Sequence, residues 1–180
     1  MLKAAFIANS ESQNPQTYSL RYENPDFQLE MVAVSGMDMT KETILGFARD
    51  GFDLVDLCGD FTQEMAEALR QATGNQIRIS AAVYSEEEGK KLEALTTMQN
   101  YGIIIMGRGI GSEPVWLEKK NQEFNTRIAI VGSDAMAAEA AREMAEAGID
   151  FIELCGYFDQ EKAAALSQAA GGALPVGYCC

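Results

Sequence analysis

A stretch of 24 residues occurs twice in this chain, and that repetition limits the fold more than any other feature. Gly51 to Gly74 reads GFDLVDLCGDFTQEMAEALRQATG, and Gly148 to Gly171 reads GIDFIELCGYFDQEKAAALSQAAG, with 14 of 24 positions identical at a constant offset of 97. The register runs on without a gap, pairing Leu20 with Leu117, Phe27 with Phe124 and Val34 with Val131. One supersecondary plan is therefore used twice. The repeats cover about residues 2–83 and 99–180, and together they are expected to form a single domain.

Hydrophobic periodicity fills in the plan. In the first copy, Leu2 to Ala8, Gln28 to Val34, Asp53 to Cys58 and Gln76 to Val83 read as strands. Apolar residues at helical spacing mark a helix from Met37 to Asp50, closed by Gly51, and another opened by Thr62 as N-cap. The polar segment Glu11 to Asp26, with Pro15 and Pro25, is expected to hold at most a short helix. Ser85 and Glu88 form a capping box that opens a helix reaching Met98, with Leu92, Leu95 and Met98 inward. The second copy repeats the order. Strands are expected at Ile103 to Met106, Arg127 to Val131, Asp150 to Cys155 and Leu174 to Cys179. Helices are expected around Val115 to Phe124, Asp134 to Ala147 and Asp159 to Ala170.

Strands alternating with helices define an α/β protein with a parallel sheet. Two β-α-β-α-β-α-β halves can close into a compact eight-stranded parallel (βα)-barrel, at the small end of the size range for such folds. The alternative is one or two open, doubly wound sheets.

Charge and composition remove whole classes of function. The net charge is −13, with 27 acidic and 14 basic residues, which repels phosphate backbones and anionic lipid surfaces. Neither nucleic acid nor membrane is expected as a partner, and the chain reads as cytoplasmic. Histidine is absent, so a Ser-His-Asp triad, a Cys-His pair and a His-containing zinc site are all excluded. The four cysteines, Cys58, Cys155, Cys179 and Cys180, form no Cys-x-x-Cys motif. No metal site is expected, and no cofactor is indicated.

Two constellations remain. Side chains alternate along a strand, so Asp56 and Cys58 share one face, and Glu153 and Cys155 repeat that arrangement. A carboxylate facing the helix layer would be buried without partners at a cost of several kcal/mol. Both pairs are therefore expected on the opposite face, near the carboxyl ends of strands, where such folds place their sites. They are candidate catalytic groups for acid–base or thiol chemistry of an isomerase, lyase or hydrolase kind. The competing reading is a buried ion pair with Lys3, Arg78 or Arg127. The second constellation is the loop Gly107-Arg108-Gly109-Ile110-Gly111-Ser112 after a strand. Gly107 and Gly109 would let backbone amides approach an anion that Arg108 and Ser112 hold. The spacing matches neither a dinucleotide fingerprint nor a P-loop, and a plain turn is the competing reading. Asn9 and Ser10 end the equivalent strand of the first copy and are candidate rim residues.

The segments IELCGYF and GGALPVGY resemble the bacterial domain-of-unknown-function family numbered 6506. The likeness is best over residues 124–178 and weaker over 27–83, where Asn75, Gln76 and Arg78 stand in place of Gly172, Ala173 and Pro175. Family members are commonly about half this length, so the resemblance implies that one half can be a folding unit that pairs with another copy. It implies no activity.

The partner expected is then a small polar or anionic molecule, bound by an enzyme or by a non-catalytic ligand-binding or assembly module. A homodimer is also expected. No helix follows the last strand to cover Leu174, Val176 and Tyr178, as the helix from Ser85 does at the midpoint of the chain.

Overall fold

The computed structural model describes residues 1–180 and divides into two compact units, Met1–Ala82 and Val83–Cys180. The first unit contains β1 (Leu2–Asn9), β2 (Ser19–Glu23), β3 (Phe27–Val34), α1 (Gly36–Arg49), β4 (Leu54–Cys58), α2 (Gln63–Ala72) and nearly all of β5 (Arg78–Val83). Its strands lie in the order β2-β3-β1-β4-β5. The second unit opens with α3 (Glu86–Glu93). It continues through β6 (Asn100–Met106), β7 (Val115–Lys120), β8 (Asn125–Val131), α4 (Asp134–Glu146), β9 (Phe151–Leu154), α5 (Gln160–Ala169) and β10 (Val176–Cys179). The order there is β7-β8-β6-β9-β10.

The repeat survives at the level of hydrogen-bond register. Ala4 pairs with Leu54 and Tyr101 with Phe151; Ala4 lies beside Leu29 and Tyr101 beside Thr126. Helix ends repeat as well. After α1, Gly51 takes φ +74° and the Phe52 N–H returns to the Phe47 carbonyl at 3.0 Å. After α4, Gly148 takes φ +77° and the Ile149 N–H returns to Met144 at the same distance. A left-handed residue is needed to turn the chain there, and glycine adopts it without a Cβ clash.

The core of the first unit is the helix-facing side of its strands. Ala5, Ile7, Val32, Val34, Val55 and Leu57 pack with Ile44 and Phe47 of α1 and Ala66 and Leu69 of α2. Both helices thus cover one face, which removes the doubly wound alternative for this unit. The opposite face is equally buried, with Phe6, Leu29 and Met31 fully out of water.

The eight-stranded, purely parallel arrangement is corrected to ten strands of mixed direction. The polar segment before β3 carries a strand, not a short helix. β2 runs antiparallel to β3, with Leu20 and Tyr22 turned toward the sheet between exposed Ser19, Arg21 and Glu23. The helix expected around Val115 to Phe124 is instead the antiparallel strand β7 and its turn. One device makes both hairpins. The Asn24 side-chain oxygen accepts from the Asp26 and Phe27 N–H groups, and Asn121 does the same for Glu123 and Phe124. Such an Asx turn reverses the chain locally and commits the preceding residues to extended pairing. The helix after Ser85 also ends early, at Glu93, leaving Met98 exposed.

Candidate functional site

Asp56 and Glu153 occupy the same position of the repeat, in mid-strand on β4 and β9, and each is 1% exposed. Both project from the face opposite the helices, as strand alternation requires: Asp56 lies beside Phe6 and Ser80, and Glu153 beside Ile103 and Gly177. The two units satisfy their carboxylates differently. Asp56 accepts a hydrogen bond from the Ser80 hydroxyl on β5. Glu153, one methylene longer, accepts from Tyr84 at 2.8 Å and from Tyr101 at 2.5 Å. The residue matching Ser80 is Gly177, and a Cβ there would stand 2.6 Å from the Tyr84 ring. Glycine makes room for the phenol that replaces the serine hydroxyl. Of the cations considered as ion-pair partners, Lys3 and Arg127 bind groups other than these carboxylates. Lys3 donates to the Asp50 carbonyl at 2.8 Å, Arg127 reaches Glu118 at 3.1 Å and stacks over Trp116, and Arg78 is exposed.

Both cysteines of the repeat lie at strand ends, Cys58 fully buried and Cys155 nearly so. The Cys155 thiol accepts the Met106 N–H at 3.3 Å, directly before the glycine-rich loop. In that loop Arg108, Gly109 and Ser112 are exposed. Gly107 answers to packing: a Cβ on it would meet Ile130 at 2.6 Å and Ile110 at 3.0 Å, and Gly132 is also close to Ile110. In the first unit Asn9 is committed to the turn into α1, accepting the Gly36 N–H at 3.2 Å, while Ser10 is buried and its N–H donates to Val34. Nowhere do three or more Cys, Asp or Glu side chains gather as a group that could hold a metal ion. No helix is long and apolar enough to cross a membrane.

A feature not anticipated from sequence lies between α3 and α5. Ser85 caps α3 by accepting the Glu88 N–H at 3.3 Å, as the capping box predicts. The Glu88 carboxylate does not return to the cap. It turns inward, is nearly fully buried, and accepts from the Val176 N–H and the Ser167 hydroxyl, each at 2.8 Å. Lys91 completes the cluster, 2.7 Å from Glu88 and 3.2 Å from Ser167. Burial alone disfavours the Lys91 charge, but the hydrogen bond and field of Glu88, with Glu87 adding to them, hold the ammonium above its ordinary value. Beside this cluster is a cavity of about 430 Å³, with Ala163, Ala164 and Val176 as apolar lining and Tyr178, Gln160 and Gln168 as polar lining. A sequence signal existed. Glu88 lies on the helical stripe of Leu92 and Leu95, and a carboxylate on an inward stripe requires partners.

The apolar strand surface expected to lie bare is covered. Leu174 is 8% and Val176 1% exposed, and α3 and α5 both engage this strand region. The matching place in the first unit is filled by Arg70, the counterpart of Ser167, which donates to the Ile79 carbonyl at 2.6 Å.

Mixed five-stranded sheets in one register, each with two helices on the repeat's plan, define a tandemly duplicated α/β protein. The sequence matches the family of unknown function DUF6506 twice, over residues 2–97 and 99–180, and the chain belongs to that family as a two-copy member. Comparison with functionally curated proteins finds no match. The first match ends beyond α3, although α3 is part of the second compact unit.

Proposed function

We propose that this chain is a non-catalytic small-molecule-binding module whose ligand sits in the cleft between α3 and α5. The observation that carries the reading is the cavity itself. About 430 Å³ falls within the range of ligand sites, and it combines apolar lining with polar side chains. Those polar groups include the Gln160 and Gln168 amides and the Tyr178 hydroxyl. Thermal denaturation with a panel of amines, carboxylates, sugars and nucleosides tests it, using the full chain and Ala164→Trp, which fills the cleft from an exposed helix position. A ligand present at a hundred times its Kd adds about 2.7 kcal/mol of stability. The expected result is a raised Tm for one class in the wild type and none in the variant. A class that raises both equally would remove the cleft as the site.

A second reading, an isomerase, lyase or hydrolase using Glu153, is favoured by one observation: partly exposed Tyr84 is hydrogen-bonded to this buried carboxylate. A phenol held in that way can pass a proton between a substrate and Glu153. Turnover lost in Glu153→Gln but retained in Ala164→Trp would decide for it. The glycine-rich loop around Arg108 remains the candidate for an anionic group of such a substrate.

A further inference from the structure

We infer that Cys155 and Cys179 are a redox pair, which a peroxide converts to a reversible disulfide that frees the foot of the glycine-rich loop 107–112. Sheet register places the two thiols together. Ile152, Glu153 and Leu154 of β9 lie beside Val176, Gly177 and Tyr178 of β10, so one step further along both parallel strands come Cys155 and Cys179. The backbone is still in the sheet at this point, since the Cys155 N–H donates to the Ile104 carbonyl at 3.1 Å. Alternation puts both cysteines on the face of Glu153 and Gly177, away from the helices. Neighbouring strands run about 4.8 Å apart, within the span of about 4.4–6.8 Å between Cα atoms that a disulfide bridges. The repeat provides the contrast. Cys58, the counterpart of Cys155, comes beside Ala82 by the same register, so in the first unit alanine takes the place of the second thiol.

Cys155 reacts first, being 6% exposed where Cys179 is 1% exposed. Its thiolate attacks hydrogen peroxide: an S–O bond forms, the O–O bond breaks, and the departing hydroxide takes up the thiol's proton and leaves as water. The Cys179 thiolate then attacks the sulfenic sulfur. The S–S bond forms, the S–O bond breaks, and a second hydroxide leaves as water with the Cys179 proton. Two thiols lose two electrons, and the peroxide becomes two waters. The consequence falls on the other flank of β9. There the Cys155 sulfur accepts the Met106 N–H at 3.3 Å, where β6 passes into the glycine-rich loop. Strand β6 lies on one side of β9 and β10 on the other, so a sulfur drawn toward Cys179 lets go of Met106.

Peptide mapping of the full chain, after peroxide treatment and alkylation of the remaining thiols, tests this. Trypsin cuts after Arg142 and Lys162, so the expected bond joins peptides 143–162 and 163–180. It is expected in the wild type and in Cys180→Ser, and to reverse with dithiothreitol. It is expected to be absent from Cys179→Ala, which carries the residue that the first repeat has at that place. In that variant Cys155 should accumulate as a sulfenic acid that dimedone traps. Hydrogen exchange at the Met106 amide, followed by NMR, is expected to quicken about tenfold in the oxidised wild type, as for one lost hydrogen bond. A bond between Cys179 and Cys180 alone, or a Cys155 that stays a thiol while Cys180 is oxidised, would overturn the pair. The expected bond with unchanged exchange at Met106 would overturn its coupling to the loop.

Discussion

Two carboxylates at one position of a repeat show how a buried charge constrains its neighbours. Asp56 is served by Ser80; Glu153 reaches further and is served by two phenols, one of which needs Gly177 beneath it. Each side chain is chosen by the others, so single changes should be costly and coupled. Gly177→Ala places a methyl 2.6 Å from the Tyr84 ring and is expected to cost about 1–3 kcal/mol through overpacking. In a Tyr84→Ala background the same change should cost well under half of that, because the clash is gone. Urea denaturation of the four proteins of this cycle measures the coupling, and additive costs would show that Tyr84 is not what requires the glycine. The Glu88 cluster makes a similar demand. Glu88→Ala leaves the Val176 N–H and the Lys91 ammonium without their buried acceptor, and a loss of about 3 kcal/mol is expected. A loss below about 1 kcal/mol, measured in the same way, would mean that water replaces the carboxylate freely.

At the scale of elements, α3 is an eight-residue helix whose inward face is held by polar contacts. The raised pKa of Lys91 fixes how its contribution varies with pH. The folded state holds the proton more tightly than the unfolded chain, whose ordinary value is 10.5, so the contribution is full below that value. It is lost as pH rises through the higher folded value. Lys91→Met is therefore expected to be less stable than the wild type by about 1 kcal/mol near neutrality, a small figure because the lysine is partly solvated. The difference should close above pH 10.5, and a gap persisting there would trace to lost packing of the lysine stem. The helices α1, α2, α4 and α5 and most strands were legible because their signals are local: caps, glycine stops and apolar periods. The face taken by Asp56 and Glu153 was legible for the same reason, since alternation needs only the strand itself. β2 and β7 give only a weak signal because they are short, half-exposed edges, and in the first only Leu20 and Tyr22 carry the alternation. The stripe of Glu88, Leu92 and Leu95 shows that Glu88 needs buried partners, but not which ones, because Val176 lies 88 residues away. No local pattern encodes that meeting.

For the whole molecule, the duplication supplies two copies of the plan within one chain, and the bare strand that argued for a homodimer is covered. Four large apolar side chains remain exposed: Met1, Met65, Met98 and Tyr157. They belong to four separate segments: the N-terminus, α2, the connection after α3 and the turn before α5. A stable interface buries about 800 Å² on each partner around a contiguous apolar centre, a demand that four single side chains do not meet by themselves. Like charges work in the same direction, since two copies of a chain at −13 repel each other at low ionic strength. Light scattering across a dilution series is therefore expected to return a constant mass near 19.6 kDa, unaffected by added salt. A mass that doubles at high concentration, and does so more readily as salt screens the repulsion, would establish the homodimer and place its interface on a surface other than Leu174 and Val176.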